Sequence, residues 1–270
     1  MNGTANVNHD AKLQCGLGRE KLDETIATLQ AKGVKYDTIE LERPRHAQEI
    51  LTETDLTQYD AVVLVGGDGT FHEGANGIMR NKDWDKIKEK PLAMIPAGTG
   101  NSFALDLRGT TDAQPAIEAL CEGKSVPIDI MKLTFSANGQ PETLYAFNSI
   151  HWGLASQVVL TAEKMRWMGK AIRYTTAAIM ELFRGNKQRA RLTIESGDGT
   201  VEVIEDEFCL LIANNVYSTA KGMKMVPDAK LNDGLIDLLV VKSDSTLDLM
   251  NMFSKIYSGT HTDLPFVDYR

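Results

Sequence analysis

Ala61-Val-Val-Leu-Val-Gly-Gly-Asp-Gly-Thr70 is the stretch on which the reading of this chain turns. Five apolar residues, Ala61 to Val65, have the length and β-branching of a strand covered on both faces. Gly66, Gly67 and Gly69 then surround a single acid, Asp68. Thr70 is placed to cap a following helix, and Glu73 three residues on completes a capping box. The order is strand, glycine loop, helix N-terminus. It gathers backbone N–H groups and the positive end of a helix at one spot, a ready site for phosphate.

Two familiar phosphate motifs are excluded. A dinucleotide fingerprint starting at Gly67 and Gly69 needs glycine at position 72, which is His72. A P-loop needs Gly-Lys followed by a hydroxyl residue, and no lysine follows here. A carboxylate repels a phosphate that is merely cradled. Asp68 makes sense as a base that takes a proton from an attacking hydroxyl, or as a helper in holding Mg²⁺. The alternative is a tight turn with a solvated acid.

Composition narrows the class. The 270 residues suffice for one large domain or two ordinary ones. A net charge of −8 argues against a nucleic-acid partner for the whole molecule. Cys15, Cys121 and Cys209 are far apart and form no C-x-x-C, which points to a reducing compartment without disulfides or a zinc site. The N-terminus lacks the apolar core of a signal peptide, and no apolar run approaches the length of a spanning helix.

Along the chain, residues 1–14 are polar and predict no regular element. Residues 19–32 predict a helix, 36–41 a strand, 46–51 a helix, and 70–79 the helix after the glycine loop. The logic then repeats. Pro91-Leu-Ala-Met-Ile-Pro96 reads as a strand, Ala97-Gly-Thr-Gly-Asn101 as a second small-residue loop, and Asn101 or Ser102 as the cap of a helix over 103–107. Ligands of such sheets bind outside the carboxyl ends of the strands, so the two loops are expected to face one another.

Past Ser125 the character changes. Strands are predicted over 128–135, 144–150, 191–195, 201–205, 208–213 and 235–241, with helices over 163–183, bent near Gly169, and 247–257. Ser196-Gly-Asp-Gly-Thr200 repeats the Gly-Asp-Gly-Thr string between alternating flanks and reads as a hairpin turn. The fold expected is an α/β nucleotide-binding domain with a parallel sheet over residues 1–122, then a β-rich antiparallel domain with helices over 123–270. Residues 163–191 are rich in Lys, Arg and Met. They read either as a solvated face over a packed core, or as a patch that meets phosphate and acyl chains.

The first loop together with Pro96-Ala-Gly-Thr-Gly-Asn101 resembles the lipid kinases of the diacylglycerol kinase and sphingosine kinase group. Asp83-Trp84, Lys90-Pro-Leu92, His151-Trp-Gly153 and Glu163-Lys-Met-Arg-Trp-Met-Gly169 are similar to sphingosine and ceramide kinases. Pro227-Asp-Ala229 and Asn232-Asp-Gly-Leu-Ile-Asp237 are similar to the group's later signature. The resemblance implies a phosphofructokinase- or NAD-kinase-like first domain, a lipid-binding second domain and an active site in the cleft. It implies transfer of phosphate from ATP and Mg²⁺ to a hydroxyl of a sphingoid base, ceramide or diacylglycerol, by a cytoplasmic protein that visits membranes transiently and binds no nucleic acid.

Residue by residue, the resemblance makes Asp68 the general base. It puts Gly66, Gly67, Gly69, Thr70, Glu73, Gly98, Thr99, Gly100 and Asn101 around ATP. Arg166 and Arg173 match two arginines that meet phosphates, while Gly66, Asp68 and Val159 face the lipid. No residue is assigned to hold a metal on its own. Four departures stand against the group's pattern. The opening strand is missing, with Cys15-Gly16 where Ser-Gly is usual. Leu41 stands where a threonine is usual. Val159 replaces the acid that reads a sphingoid headgroup. The closing Asp-Gly-Glu strand is not present. They leave open a catalytically weak or inactive relative that binds nucleotide or lipid.

Overall fold

A computed structural model describes residues 10–15, 19–98, 100–165, 167–184, 187–219, 223–242 and 245–270. The chain forms two units, Met1–Phe147 and Asn148–Arg270. The first runs β1 (Asp10–Cys15), α1 (Arg19–Ala31), β2 (Lys35–Glu40), α2 (His46–Glu53), β3 (Ala61–Gly66) and α3 (Asp68–Ile78). It continues with the short α4 (Trp84–Ile87), then β4 (Leu92–Pro96), α5 (Ser102–Arg108), α6 (Gln114–Cys121), β5 (Met131–Ala137) and β6 (Gln140–Ala146).

Four strands form a parallel sheet in the order β2-β1-β3-β4. Every residue of β3 is buried, as its unbroken apolar run requires of a strand covered on both faces. Val63 and Val65 join Leu29 of α1, Ile95 of β4 and Ile117 of α6 in one core cluster. Leu64 points the other way, so close to Gly74 of α3 that a Cβ there would lie 2.4 Å from its methyl. Alternate residues of one strand thus anchor the helices of both faces.

The expectation of an unstructured N-terminus with no opening strand is corrected. β1 pairs with β2 on one side and β3 on the other. Ala11, Leu13 and Cys15 alternate with polar residues, so the strand lacks the apolar run that marks β3. Its place comes from backbone pairing with two neighbours. Residues 16–18, where a glycine turn is expected, lie outside the described residues.

The division between the units falls at 147/148, later than the change of character near Ser125. The antiparallel hairpin β5–β6 therefore belongs to the first unit. Asn76, fully buried on α3, explains why. Its Nδ2 donates to the carbonyls of His72 and Tyr145 at 2.9 and 2.8 Å, and its Oδ1 accepts from Tyr145 N–H at 3.0 Å. The amide completes the edge of β6 as a neighbouring strand would.

The second unit has β7 (Ser149–Gly153), α7 (Leu154–Lys164), α8 (Lys170–Arg184), β8 (Gln188–Glu195), β9 (Val201–Phe208), β10 (Leu210–Asn214), β11 (Asp237–Val241), α9 (Thr246–Lys255), a 3₁₀ turn at Thr260–Asp263 and β12 (Val267–Tyr269). An antiparallel sheet in the order β12-β11-β10-β7 packs on α9 through Leu210, Ile212, Leu239, Leu249 and Met252. The strand expected over 144–150 is two strands, β6 and β7. The single bent helix expected over 163–183 is two helices, because α7 ends before residues 165–169 and α8 begins after them. Ser196-Gly-Asp-Gly-Thr200 is the turn of the β8–β9 hairpin, closed by Gly199 N–H to Ser196 O at 2.9 Å with Gly199 at φ +83°.

Candidate active site

Gly66 ends β3 opposite Pro96, the end of β4, and Ala97 N–H donates to Gly66 O at 2.8 Å. Both glycine loops therefore leave the same end of the sheet side by side. Gly67 and Gly98 touch. A Cβ on Gly98 would lie 2.5 Å from Gly67 Cα, and one on Gly67 would lie 3.0 Å from Gly98 Cα. Only residues without side chains allow this approach.

α3 begins earlier than expected, at Asp68 with Gly67 in the cap position. The capping box is thereby corrected. Thr70 lies inside the first turn, and no side chain caps this helix. Thr70 instead covers Gly66, where a Cβ would fall 2.6 Å from Thr70 Oγ1. Asn101 does occupy the cap position of α5, in the left-handed region at φ 53°, but its side chain serves the loop. It accepts from Gly98 N–H and donates to Gly98 O, both at 3.0 Å.

The amides that open α5 are held by Asp68. Its Oδ2 accepts from Ser102 N–H at 3.0 Å and its Oδ1 from Phe103 N–H at 3.1 Å. A carboxylate at a helix N-terminus neutralises unpaired donors and meets the positive end of the dipole. Phe71, Phe103 and Phe147 stack behind this junction, with ring centroids 4.7 Å apart for the first pair and 5.0 Å for Phe71–Phe147. The acid is thus fixed between two helices.

A Cβ on Gly69 would meet nothing within 4 Å, and one on Gly100 would meet only Asp68 Oδ2 at 3.5 Å. Space beside the acid is therefore open. Glu73 is half-buried on α3. Its charge partly offsets the burial that pushes the neighbouring His72 below the ordinary imidazole value. Within the first unit the structure brings together Gly66, Gly67, Asp68, Gly69, Thr70, Gly98, Gly100 and Asn101. Thr99 and Arg166 lie outside the described residues.

Val159 and Arg173 belong to the second unit. Val159 is half exposed on α7. Arg173 on α8 is mostly buried, with its guanidinium 3.6 Å from Glu163. Sequence reasoning missed the amides of Ser102 and Phe103 as partners of the acid. Backbone donors leave no residue-type signal. It also missed Asn76, although a buried amide on an otherwise apolar helix face was a signal available to it.

Residues 11–133 match the diacylglycerol kinase catalytic domain, and residues 148–270 match the YegS C-terminal NAD kinase beta sandwich-like domain. The chain is 26% identical to sphingosine kinase 1 of Arabidopsis thaliana over 92% of its own length and 58% of that protein. It is 31% identical to sphingosine kinase 1 of Rattus norvegicus, covering 87% of this chain and 71% of that one. It is 30% identical to a diacylglycerol kinase of Mycobacterium tuberculosis, covering 88% and 73%. The chain spans 58% and 56% of the two Arabidopsis sphingosine kinases, little more than half their length. A solved diacylglycerol kinase from Bacillus anthracis str. Sterne shares the fold, with a TM-score of 0.66 at 21% identity over 97% of this chain and 83% of that one. With matches along both halves and two interlocked glycine loops at the end of a parallel sheet, the chain belongs to the diacylglycerol kinase catalytic-domain family, which includes sphingosine kinases.

Proposed function

We propose that this chain transfers the γ-phosphate of ATP to a hydroxyl of a lipid, a sphingoid base, ceramide or diacylglycerol. The observation that carries this is Asp68, a carboxylate held by the Ser102 and Phe103 amides beside Gly69 and Gly100, where space is open. Phosphoryl transfer asks for positioning and charge stabilisation more than covalent chemistry. The glycine loops and Thr70 orient the phosphates. Asp68 accepts the proton of the lipid hydroxyl as it attacks. Arg166 and Arg173, which resemble the group's phosphate-binding arginines, are assigned the role of supplying positive charge to the phosphates.

Among the described residues no three His, Cys, Asp or Glu gather to hold a metal. This suits Mg²⁺ that arrives on the nucleotide as part of the substrate and keeps mostly phosphate and water ligands.

Among the described residues no helix is long and apolar enough to cross a membrane. Ile172, Ile179, Met180 and Phe183 share one exposed face of α8, with Phe183 74% exposed, and Leu247 and Met250 are exposed on α9. Large exposed apolar groups in such numbers suit contact with a membrane surface. We place the protein in the cytoplasm as a transient visitor to lipid surfaces, without a nucleic-acid partner.

The bonds of Asp68 also favour a second reading, in which the acid is chiefly a fastener and the chain binds nucleotide or lipid with little turnover. A panel of sphingosine, ceramide and diacylglycerol in mixed micelles with labelled ATP separates the two. Labelled lipid phosphate that depends on Asp68 supports the kinase. Nucleotide or lipid binding without any labelled product supports the second reading.

A further inference from the structure

The first unit contains a cavity of about 860 Å³, lined by Phe71, Phe103 and Phe147 from behind Asp68 but by no residue of the two glycine loops. It reaches the first residues of β3 and β4, Ala61 and Leu92, whereas the glycine loops leave the far ends of these strands. Its walls are largely apolar, from Phe71, Met94, Phe103, Ile87 and Trp84, and β4 contributes as the edge strand of its sheet. The volume lies within the range of small-molecule sites.

Six charged residues, Asp60, Lys88, Glu89, Lys90, Arg108 and Lys124, break this lining. Arg108, the last residue of α5, lines the cavity, and its Nη1 is buried with no hydrogen-bond partner among the described residues. Burial pushes this guanidinium below its ordinary value. Such a cation is costly to bury unpaired. An arginine is also well shaped for two parallel bonds to a carboxylate or phosphate. Apolar walls around one guanidinium are complementary to a molecule that is mostly hydrocarbon and ends in an anion. Among the other lining residues Lys88, Lys90 and Lys124 outnumber Asp60 and Glu89, so the lining carries an excess of positive charge.

We propose that this cavity binds a single-chain lipid with an anionic head, the chain along α3, α5 and β4 and the head on Arg108. No glycine-loop residue lines the cavity, and the proposal does not depend on the proposed reaction taking place.

Trp84 makes the proposal testable, because it lines the cavity while the other tryptophans, Trp152 and Trp167, lie in the second unit. The probe is 9,10-dibromostearate, whose bromines quench a tryptophan in contact, titrated into the full 270-residue chain. The expected result is saturable quenching that disappears in Trp84→Phe and needs about tenfold more probe in Arg108→Gln. Ala119→Leu, which adds volume at a lining residue, should weaken binding while leaving the thermal midpoint unchanged.

Competition identifies the head. A monoacyl glycerol phosphate should displace the probe, showing that a phosphate head is accepted alongside a carboxylate. Inorganic phosphate and a long-chain alcohol should displace it at least tenfold less well, showing that chain and anion are both needed. Quenching that persists in Trp84→Phe would place the bound acid in the second unit and overturn the proposal. So would equal displacement by the alcohol, unaltered binding to Arg108→Gln, or no saturable quenching at all.

Discussion

Asp68 Oδ2 accepts the backbone N–H of Ser102 at 3.0 Å, so the acid of the first glycine loop secures the helix that follows the second. A residue with this bond serves structure and chemistry together. In Asp68→Asn one oxygen remains as acceptor, but the new amide group turns N–H toward N–H. Thermal unfolding should report a loss of about 1–3 kcal/mol. Turnover at saturating ATP should fall by about 10²–10⁴. A lower midpoint with unchanged turnover would leave Asp68 as a fastener and remove it from the chemistry.

The glycines separate packing from ligand approach. Gly98→Ala forces a methyl to 2.5 Å from Gly67 Cα and should cost about 1–3 kcal/mol in denaturant melts. Gly69→Ala meets nothing within 4 Å and should leave those melts unchanged. If phosphate approaches the backbone there, the same variant raises KM for ATP. A Gly69→Ala enzyme with wild-type KM would move the phosphate elsewhere.

Asn76→Ala strips two hydrogen bonds from the junction of α3 and β6, and one within α3, and leaves Tyr145 N–H and C=O without that partner. The expected loss is about 1–3 kcal/mol. Hydrogen exchange should show faster opening of β5–β6 with protection of β3 retained. Uniform loss of protection across the first unit would show that the hairpin is integral to its core.

Acid should weaken the second unit through His261, which is fully buried and bonded through Nε2 to Met225 O at 2.9 Å. Burial pushes its value below the ordinary 6.5, against smaller upward pulls from the Met225 carbonyl and Asp263. The unfolded chain therefore takes up the proton first. Stability is full above about pH 6.5 and declines as pH falls from there toward the lower native value. Burial shifts His72 and His151 the same way. His261→Gln should flatten part of the fall in melting temperature between about pH 7 and pH 5.5. An unchanged slope would assign the acid sensitivity to the other two.

Lipid choice is expected to respond to Val159. An apolar residue there gives a sphingoid ammonium no carboxylate to pair with. Val159→Asp should shift relative kcat/KM toward sphingosine and away from diacylglycerol and ceramide. With Val159 48% exposed, water weakens the pair, and roughly a tenfold shift is the scale to look for. Wild-type protein that already favours sphingosine over both neutral lipids would refute the assignment.

What could be read in advance follows from how local each signal is. β3, its glycine loop and the second loop were legible because an unbroken apolar run and paired glycines are carried by consecutive residues. β1 was not, since Ala11, Leu13 and Cys15 alternate weakly and the strand is specified by pairing with β2 and β3. The supposed cap at Thr70 failed for a related reason. Once Gly67 and Gly98 pack together, α3 starts at Asp68, and that contact spans 31 positions of sequence. The allegiance of β5–β6 to the first unit likewise rests on contacts distant in sequence, Asn76 with Tyr145 and Arg80 with the Thr143 carbonyl.

The bare contact of Gly67 with Gly98 bears on protein engineering. Neither loop is a cassette. A library that randomises one while the other is held constant would sample mostly collisions, and a graft of the first loop into a foreign sheet would arrive without the surface that shapes it. The transferable part is larger: two adjacent strands, both loops and the opening turns of both helices, moved as a single block.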